Sequence, residues 1–197
     1  MTVTRRGIAT LLLASLGIMG AGQSAVVRAS QQPAAKPAAA TPQRTPGAGP
    51  VVVIETSKGT IEIETYPADA PKAVEHILAL VKRNFYNGLR VHRVVAGFVV
   101  QFGDPQTRDV NKRALWGTQG SGKVIGVAEI KRPHTLGAVA SAHPGDATKA
   151  DSQIYITLAP QPRLDSGYTV FGQVITGMDV VQQLAVDDVL KKVYVKP

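Results

Sequence analysis

The 197-residue chain contains no cysteine. That absence excludes disulfides, a thiol nucleophile, cysteine-bound zinc and lipid attachment through a thiol. Acid is missing from the first 50 residues, which hold five bases (Arg5, Arg6, Arg28, Lys36 and Arg44) and neither Asp nor Glu. This segment supplies most of the formal net charge of +8, because Val51 to Pro197 carries 17 bases against 14 acids. A domain so nearly balanced lacks the basic footprint of a polyanion binder, and nucleic acid drops out as a partner. Metal-ligand spacing is missing too. The four histidines, His76, His92, His134 and His143, form no pair at ligand intervals and read as structural or solvent-facing, so no metal is expected. No nucleophile-elbow serine or other local hydrolase signature occurs. The stretch GTQGSGK, 117–123, has the spacing of a phosphate loop, but Val124 stands where a hydroxyl should hold magnesium. The following VIGVAEIKRP is too interrupted by glycine and proline to open a helix, so the stretch reads as a glycine-rich surface loop.

What is present falls into three parts. Residues 1–29 have the layout of a secretory signal: a basic start through Arg6, an apolar run from Gly7 to Gly22, and Val27-Arg28-Ala29 before a possible cut at Ser30. The apolar run is short of the ~20 residues a membrane-spanning helix needs. No stable membrane insertion is expected after its removal, and the compartment is expected to be periplasmic or secreted. Arg5-Arg6 suits a twin-arginine signal as well as the general route. Residues 30–50 are Gln, Pro, Ala, Thr and Gly, with prolines at 33, 37, 42, 46 and 50. Such a segment cannot bury enough apolar surface to offset its ordering entropy and reads as a solvated, disordered linker. Residues 51–197 are the folded domain.

That domain opens with a hairpin, Val51–Thr56 and Thr60–Glu64 around Ser57-Lys58-Gly59. Asp69-Ala70-Pro71 reads as a helix start with a capping acid, and Val74, Ile77, Leu78 and Val81 form an apolar stripe behind it. Short apolar runs follow at 91–95, 98–102, 136–140, 154–158 and 169–174, with a second helix over 178–185 and a closing strand at 193–195. Many short strands with two helices predict a closed all-β architecture, a barrel or sandwich.

One charge looks misplaced. In VHRVVAGFVVQFGD, 91–104, two apolar strands around an Ala-Gly bend carry Arg93 near the start and Gln101 near the end. Alternation puts both on one side of their strands, where they can frame an apolar groove, or where the arginine can simply snorkel to water.

With APKAVEHILALVKRNFYNGLRVHRVVAGFVVQFGDP, HTLGAVASA, DSQIYITLAP and RLDSGYTVFGQVITGMDVV in this order, the chain resembles the cyclophilins, a family of peptidyl-prolyl cis/trans isomerases, over essentially all of 51–195. The resemblance implies an eight-stranded antiparallel cyclophilin-like barrel capped by two α-helices, with a groove on its outer face. It implies catalytic roles for Arg93 and Gln101 and substrate contacts from Phe98, Val99, Ala142, His143, Gln153, Tyr155, Leu164 and Tyr168. Ala142 and His143 look like the edge that pairs with the substrate backbone. Four positions depart from the family archetype: Val99 for methionine, Tyr155 for phenylalanine, Arg163 for tryptophan and Tyr168 for histidine. The last two reshape the rim, which implies an altered peptide preference and weak binding of the inhibitor cyclosporin.

Isomerisation of an X-Pro bond needs no cofactor, covalent intermediate or proton exchange. Rotation breaks amide resonance at a barrier of ~20 kcal/mol. In the twisted state the imide nitrogen regains a lone pair and accepts a hydrogen bond, so a guanidinium placed to donate only then binds that state preferentially. The expected activity is acceleration of X-Pro rotation in the folding of exported proteins, with proline-containing polypeptides as partners and a monomer as the default state. The alternative is a tethered module that holds proline segments without turning them over.

Overall fold

The computed structural model describes residues 44–197; the signal reading and most of the linker reading fall on residues outside these. Eight strands form one antiparallel sheet: β1 (Val51–Thr56), β2 (Thr60–Thr65), β3 (Arg93–Val95), β4 (Val99–Phe102), β5 (Ala138–Ser141), β6 (Ile154–Thr157), β7 (Val170–Thr176) and β8 (Leu190–Val195). Their order is β3-β4-β6-β5-β7-β2-β1-β8. The sheet curls until its two edges approach. There the residues preceding β3 meet the start of β8 and the residues before it to make the seam: Arg90 bridges Val189, Val91 N–H donates to Asp188 O at 2.9 Å, and Leu190 N–H donates to Leu89 O at 2.8 Å. Val91, expected within a strand, therefore belongs to this seam and not to β3.

Helices α1 (Pro71–Lys82) and α2 (Met178–Gln183) pack on the barrel. On α1 the buried face is Ala73, Val74, Ile77, Leu80 and Val81, with Leu78 only partly covered. The cap differs from the sequence expectation. Ala70 occupies the N-cap position and offers no side-chain acceptor, while Asp69 turns away to accept from Arg132 Nε at 2.5 Å. The orphan amides of the first turn are met from afar by Glu129, whose two carboxylate oxygens accept from Lys72 N at 3.0 Å and Ala73 N at 2.9 Å. The negative charge also complements the positive end of the helix dipole. Helix α2 ends two residues before the expected Ala185, because Leu184 is already extended. It starts after Gly177, whose φ is +81° and where a Cβ would lie 2.3 Å from Thr60 O, so only glycine fits.

Arg44 to Pro50, placed by composition in the linker, lie along β2. Gly49 N–H donates to Thr65 O at 2.8 Å, and Thr45 donates through both its amide and its hydroxyl to the buried carboxylate of Glu64. Tyr66 donates its hydroxyl to the same carboxylate at 3.1 Å. Among the described residues no helix is long and apolar enough to cross a membrane.

Alternation along the strands sorts side chains to two sides. Val52, Ile54, Ile61, Ile63, Val100, Phe102, Val139, Ile156 and Phe171 fill the barrel interior together with the α1 face. Val99, Ala138, Ala140, Tyr155 and Val170, from the same central strands, form a second apolar cluster on the outer face. Strands β5 and β6 are accordingly buried on both sides, and the second cluster is the floor of the groove.

Candidate active site

Two-residue periodicity places the first pair. Arg93 on β3 and Gln101 on β4 are direct cross-strand partners, so their side chains rise from the same side of the hairpin. Arg93 Nη1 donates to Gln101 Oε1 at 3.3 Å, and Gln101 Nε2 donates to Gln153 Oε1 at 2.8 Å. Gln153 in turn donates to the carbonyls of Gly117 at 2.8 Å and Gln119 at 2.9 Å. This chain orients each amide unambiguously: every Nε2 has an acceptor and every Oε1 a donor. It leaves most of the arginine's five N–H donors uncommitted.

The loop that carries those carbonyls is the stretch with phosphate-loop spacing. Two of its amides are taken by a carboxylate, since Gly117 N and Gln119 N donate to Asp104 Oδ2 at 2.7 and 3.1 Å. Asp104 is fully buried just after Gly103, whose φ of +110° and close approach to Ser152 O admit no side chain. The loop thus serves to hold Gln153.

Beside Arg93 opens a hollow of about 330 Å³ lined by Arg93, Phe98, Val99, Gln101, Ala142, His143, Tyr155, Leu164 and Tyr168. Nine of the ten residues assigned from sequence line it. The tenth, Gln153, borders an adjoining hollow of about 260 Å³ with Gln119, Lys149 and Asp151. Phe98 forms one wall, with the Arg93 guanidinium 5.5 Å from its ring centre. The opposite side is aromatic as well: Tyr168 stacks on His143 at 4.2 Å and meets Tyr155 edge-on at 5.7 Å. His143 Nε2–H donates to Gly167 O at 2.9 Å, which sets its tautomer. Tyr168 is therefore held in the rim by stacking on His143.

Beneath the hollow lies a connection that no local pattern announced. Asp165 Oδ1 accepts from His134 N at 2.7 Å and from Nδ1–H at 2.8 Å; His134 Nε2 then accepts from the Tyr155 hydroxyl at 2.8 Å. His134 is buried, as a structural role requires. Its N–H donations hold the Asp165 carboxyl below the usual carboxylate range. Burial pushes the Tyr155 phenol far above its ordinary value, so it remains a neutral donor and the floor stays uncharged. The hydroxyl gained by tyrosine at 155 is thus used to tie the floor down. Among the described residues no group of three His, Cys, Asp or Glu is gathered as a metal centre would need.

An outward groove on an eight-stranded antiparallel barrel, apolar in its floor and edged by one tethered cation, can hold an apolar ring beside a hydrogen-bond donor. Residues 51–196 match the family model described as cyclophilin type peptidyl-prolyl cis-trans isomerase/CLD. The chain belongs to that family. Human peptidyl-prolyl cis-trans isomerase-like 3 is 37% identical over 143 residues, covering 73% of this chain and 86% of that protein. Mouse peptidylprolyl isomerase domain and WD repeat-containing protein 1 is 36% identical over 133 residues, covering 68% of this chain; the chain spans 20% of that much longer protein. The fold matches the crystal structure of a Cryptosporidium parvum cyclophilin type peptidyl-prolyl cis-trans isomerase in the presence of the dipeptide Ala-Pro. There the TM-score is 0.64 and the identity 23%, over 75% of this chain and 99% of that one. The expected barrel with two helices is the one observed.

Proposed function

We propose that the groove catalyses cis/trans isomerisation of X-Pro bonds, with Arg93 as the group that favours the twisted imide. The observation that carries this reading is the tether Arg93–Gln101–Gln153–loop 117–119, which fixes a cation at the edge of an apolar hollow. The pyrrolidine ring sits between Phe98, Val99, Tyr155 and Leu164, where water is excluded. Dehydration weakens the planar, dipolar amide more than the twisted one. As the imide leaves planarity its nitrogen becomes an acceptor, and an uncommitted Arg93 N–H donates to it; the same fork can hold a neighbouring carbonyl. Preorganisation matters because the donor need not reorganise at the top of the barrier. Gln101 orients the guanidinium, and Ala142 with His143 offers the edge along which the substrate backbone runs.

The setting we propose is the folding of exported proteins in a periplasmic or secreted location, with the domain acting as a monomer. Support for export is the basic start and the apolar run Gly7–Gly22. Support for a proline-containing substrate is the family itself. Exchange spectroscopy on an Ala-Pro peptide tests the activity: cross-peaks between cis and trans forms are expected at substoichiometric protein. Peptide binding without any exchange would leave only the holding module.

A further inference from the structure

Phe98 borders two hollows. Besides the one beside Arg93, a shallower depression of about 550 Å³ is lined by Val95, Ala96, Gly97, Phe98, Gln161, Pro162 and Arg163. The same aromatic ring therefore carries two guanidinium groups, Arg93 at 5.5 Å and Arg163 at 4.8 Å from its centre. They differ in how they are occupied. Arg93 is engaged by Gln101. Arg163 is exposed and takes part in no ion pair or side-chain hydrogen bond among the described residues. Residues 1–43 contain no Asp or Glu that could neutralise it. The acid nearest in sequence, Asp165, is committed to His134. The other polar side chain of the depression, Gln161, donates to Gly97 O at 3.0 Å. Contact with the ring face restrains the Arg163 guanidinium without consuming its donors.

We infer that Arg163 forms a subsite for a carboxylate side chain on a residue flanking the substrate proline, so that the groove selects acidic proline segments. The inference rests on the isomerase reading of the groove. An extended chain advances about 3.3–3.6 Å per residue, so the neighbour of a proline seated against Phe98 lies within side-chain reach of the cation across the ring. A planar guanidinium fork matches a carboxylate in a way that a ring in its place could not. Exposure keeps the gain small and makes it salt-sensitive.

The test uses the full chain and four otherwise neutral peptides bearing Glu or Ala either before or after proline. Kd is read by titration and turnover by exchange spectroscopy. At low salt, Glu on one flank binds about 3- to 5-fold tighter than Ala, and the preference vanishes at about 1 M salt, where the screening length is about 3 Å. In Arg163→Gln the Glu/Ala ratio falls to about one, the value expected with no ion pair; in Arg163→Glu the preference shifts to a Lys peptide. Equal affinities for Glu and Ala, an equal gain on both flanks, or a preference that survives Arg163→Gln overturns the inference. Discrimination in Kd without exchange leaves the subsite standing and sinks the isomerase reading. Exchange without discrimination does the reverse, and failure to bind any of the four peptides overturns both.

Discussion

The barrel interior and the outer groove are two apolar clusters built from alternate residues of the same strands. On β4 to β7, Val100, Phe102, Val139, Ile156 and Phe171 point inward, while Val99, Ala138, Ala140, Tyr155 and Val170 point outward. Inside, the side chains and helix α1 leave a void of only about 10 Å³, whereas outside the hollow is about 330 Å³. Hydrophobicity does not separate the two. Volume does: alanines at 138, 140 and 142 leave room that the interior gives to phenylalanine and isoleucine. The second difference is the polar frame, because the groove is edged by a hydrogen-bonded chain and the interior by backbone ladders. A close-packed cluster stabilises the fold, and an under-filled one with a fixed rim receives a ligand.

This contrast can be broken or sharpened by substitution. The largest effect is expected inside: Phe102→Ala costs ~3–5 kcal/mol, read as a lower urea midpoint with unchanged slope. A comparable loss from the small outer residues would erase the distinction. Next, Arg93→Ala lowers kcat/KM on the order of 10²-fold while stability stays within about 0.5 kcal/mol; near-normal rates would remove the arginine from its role. Gln153→Ala frees Gln101 from its acceptor and loosens Arg93 indirectly. Its expected cost is smaller, roughly 10-fold in kcat with KM little changed, and a loss confined to KM would instead mark Gln153 as a binding contact.

The smallest effect is a pH dependence. His92 lies next to Arg93, with both of its ring nitrogens buried. Burial holds its imidazole below the ordinary value, against the opposing pull of Asp104. The unfolded chain then takes up the proton first, so stability falls as pH drops from about 6.5 toward the lower native value, and the loss stays in place below it. Denaturation of His92→Gln across pH 5 to 6.5 is expected to show a flatter limb than the parent; an unchanged limb would assign the dependence elsewhere.

Legibility in the sequence followed the range of the interactions. Period-two alternation in Thr60–Glu64 or Val99–Phe102 is local, and so the strands and the shared side of Arg93 and Gln101 could be read directly. The resemblance carried Tyr155, Leu164 and Tyr168 to the hollow. What stayed hidden joins distant segments through single hydrogen bonds. Asp69 looked like the helix cap because it stands at the right spacing, yet the acceptor is Glu129, 56 residues beyond the Ala73 amide it caps. Gln153 looked like a substrate contact, and its side-chain amide also donates to carbonyls 36 and 34 residues upstream, which no spacing announced. His134 offered no pattern at all, since its two partners come from β6 and from the turn before β7. No spacing rule encodes such pairs.

The reach of Glu129 also dictates an order of events on the ribosome. Helix α1 is synthesised before its cap exists, and with 57 residues separating Lys72 from Glu129 the wait is about 3 to 11 seconds at roughly 5–20 residues per second. Until then its first turn is free to fray. The nascent chain therefore passes through a stage in which strands β1 and β2 have been made but their covering helix is provisional, and arrival of Glu129 secures the helix start.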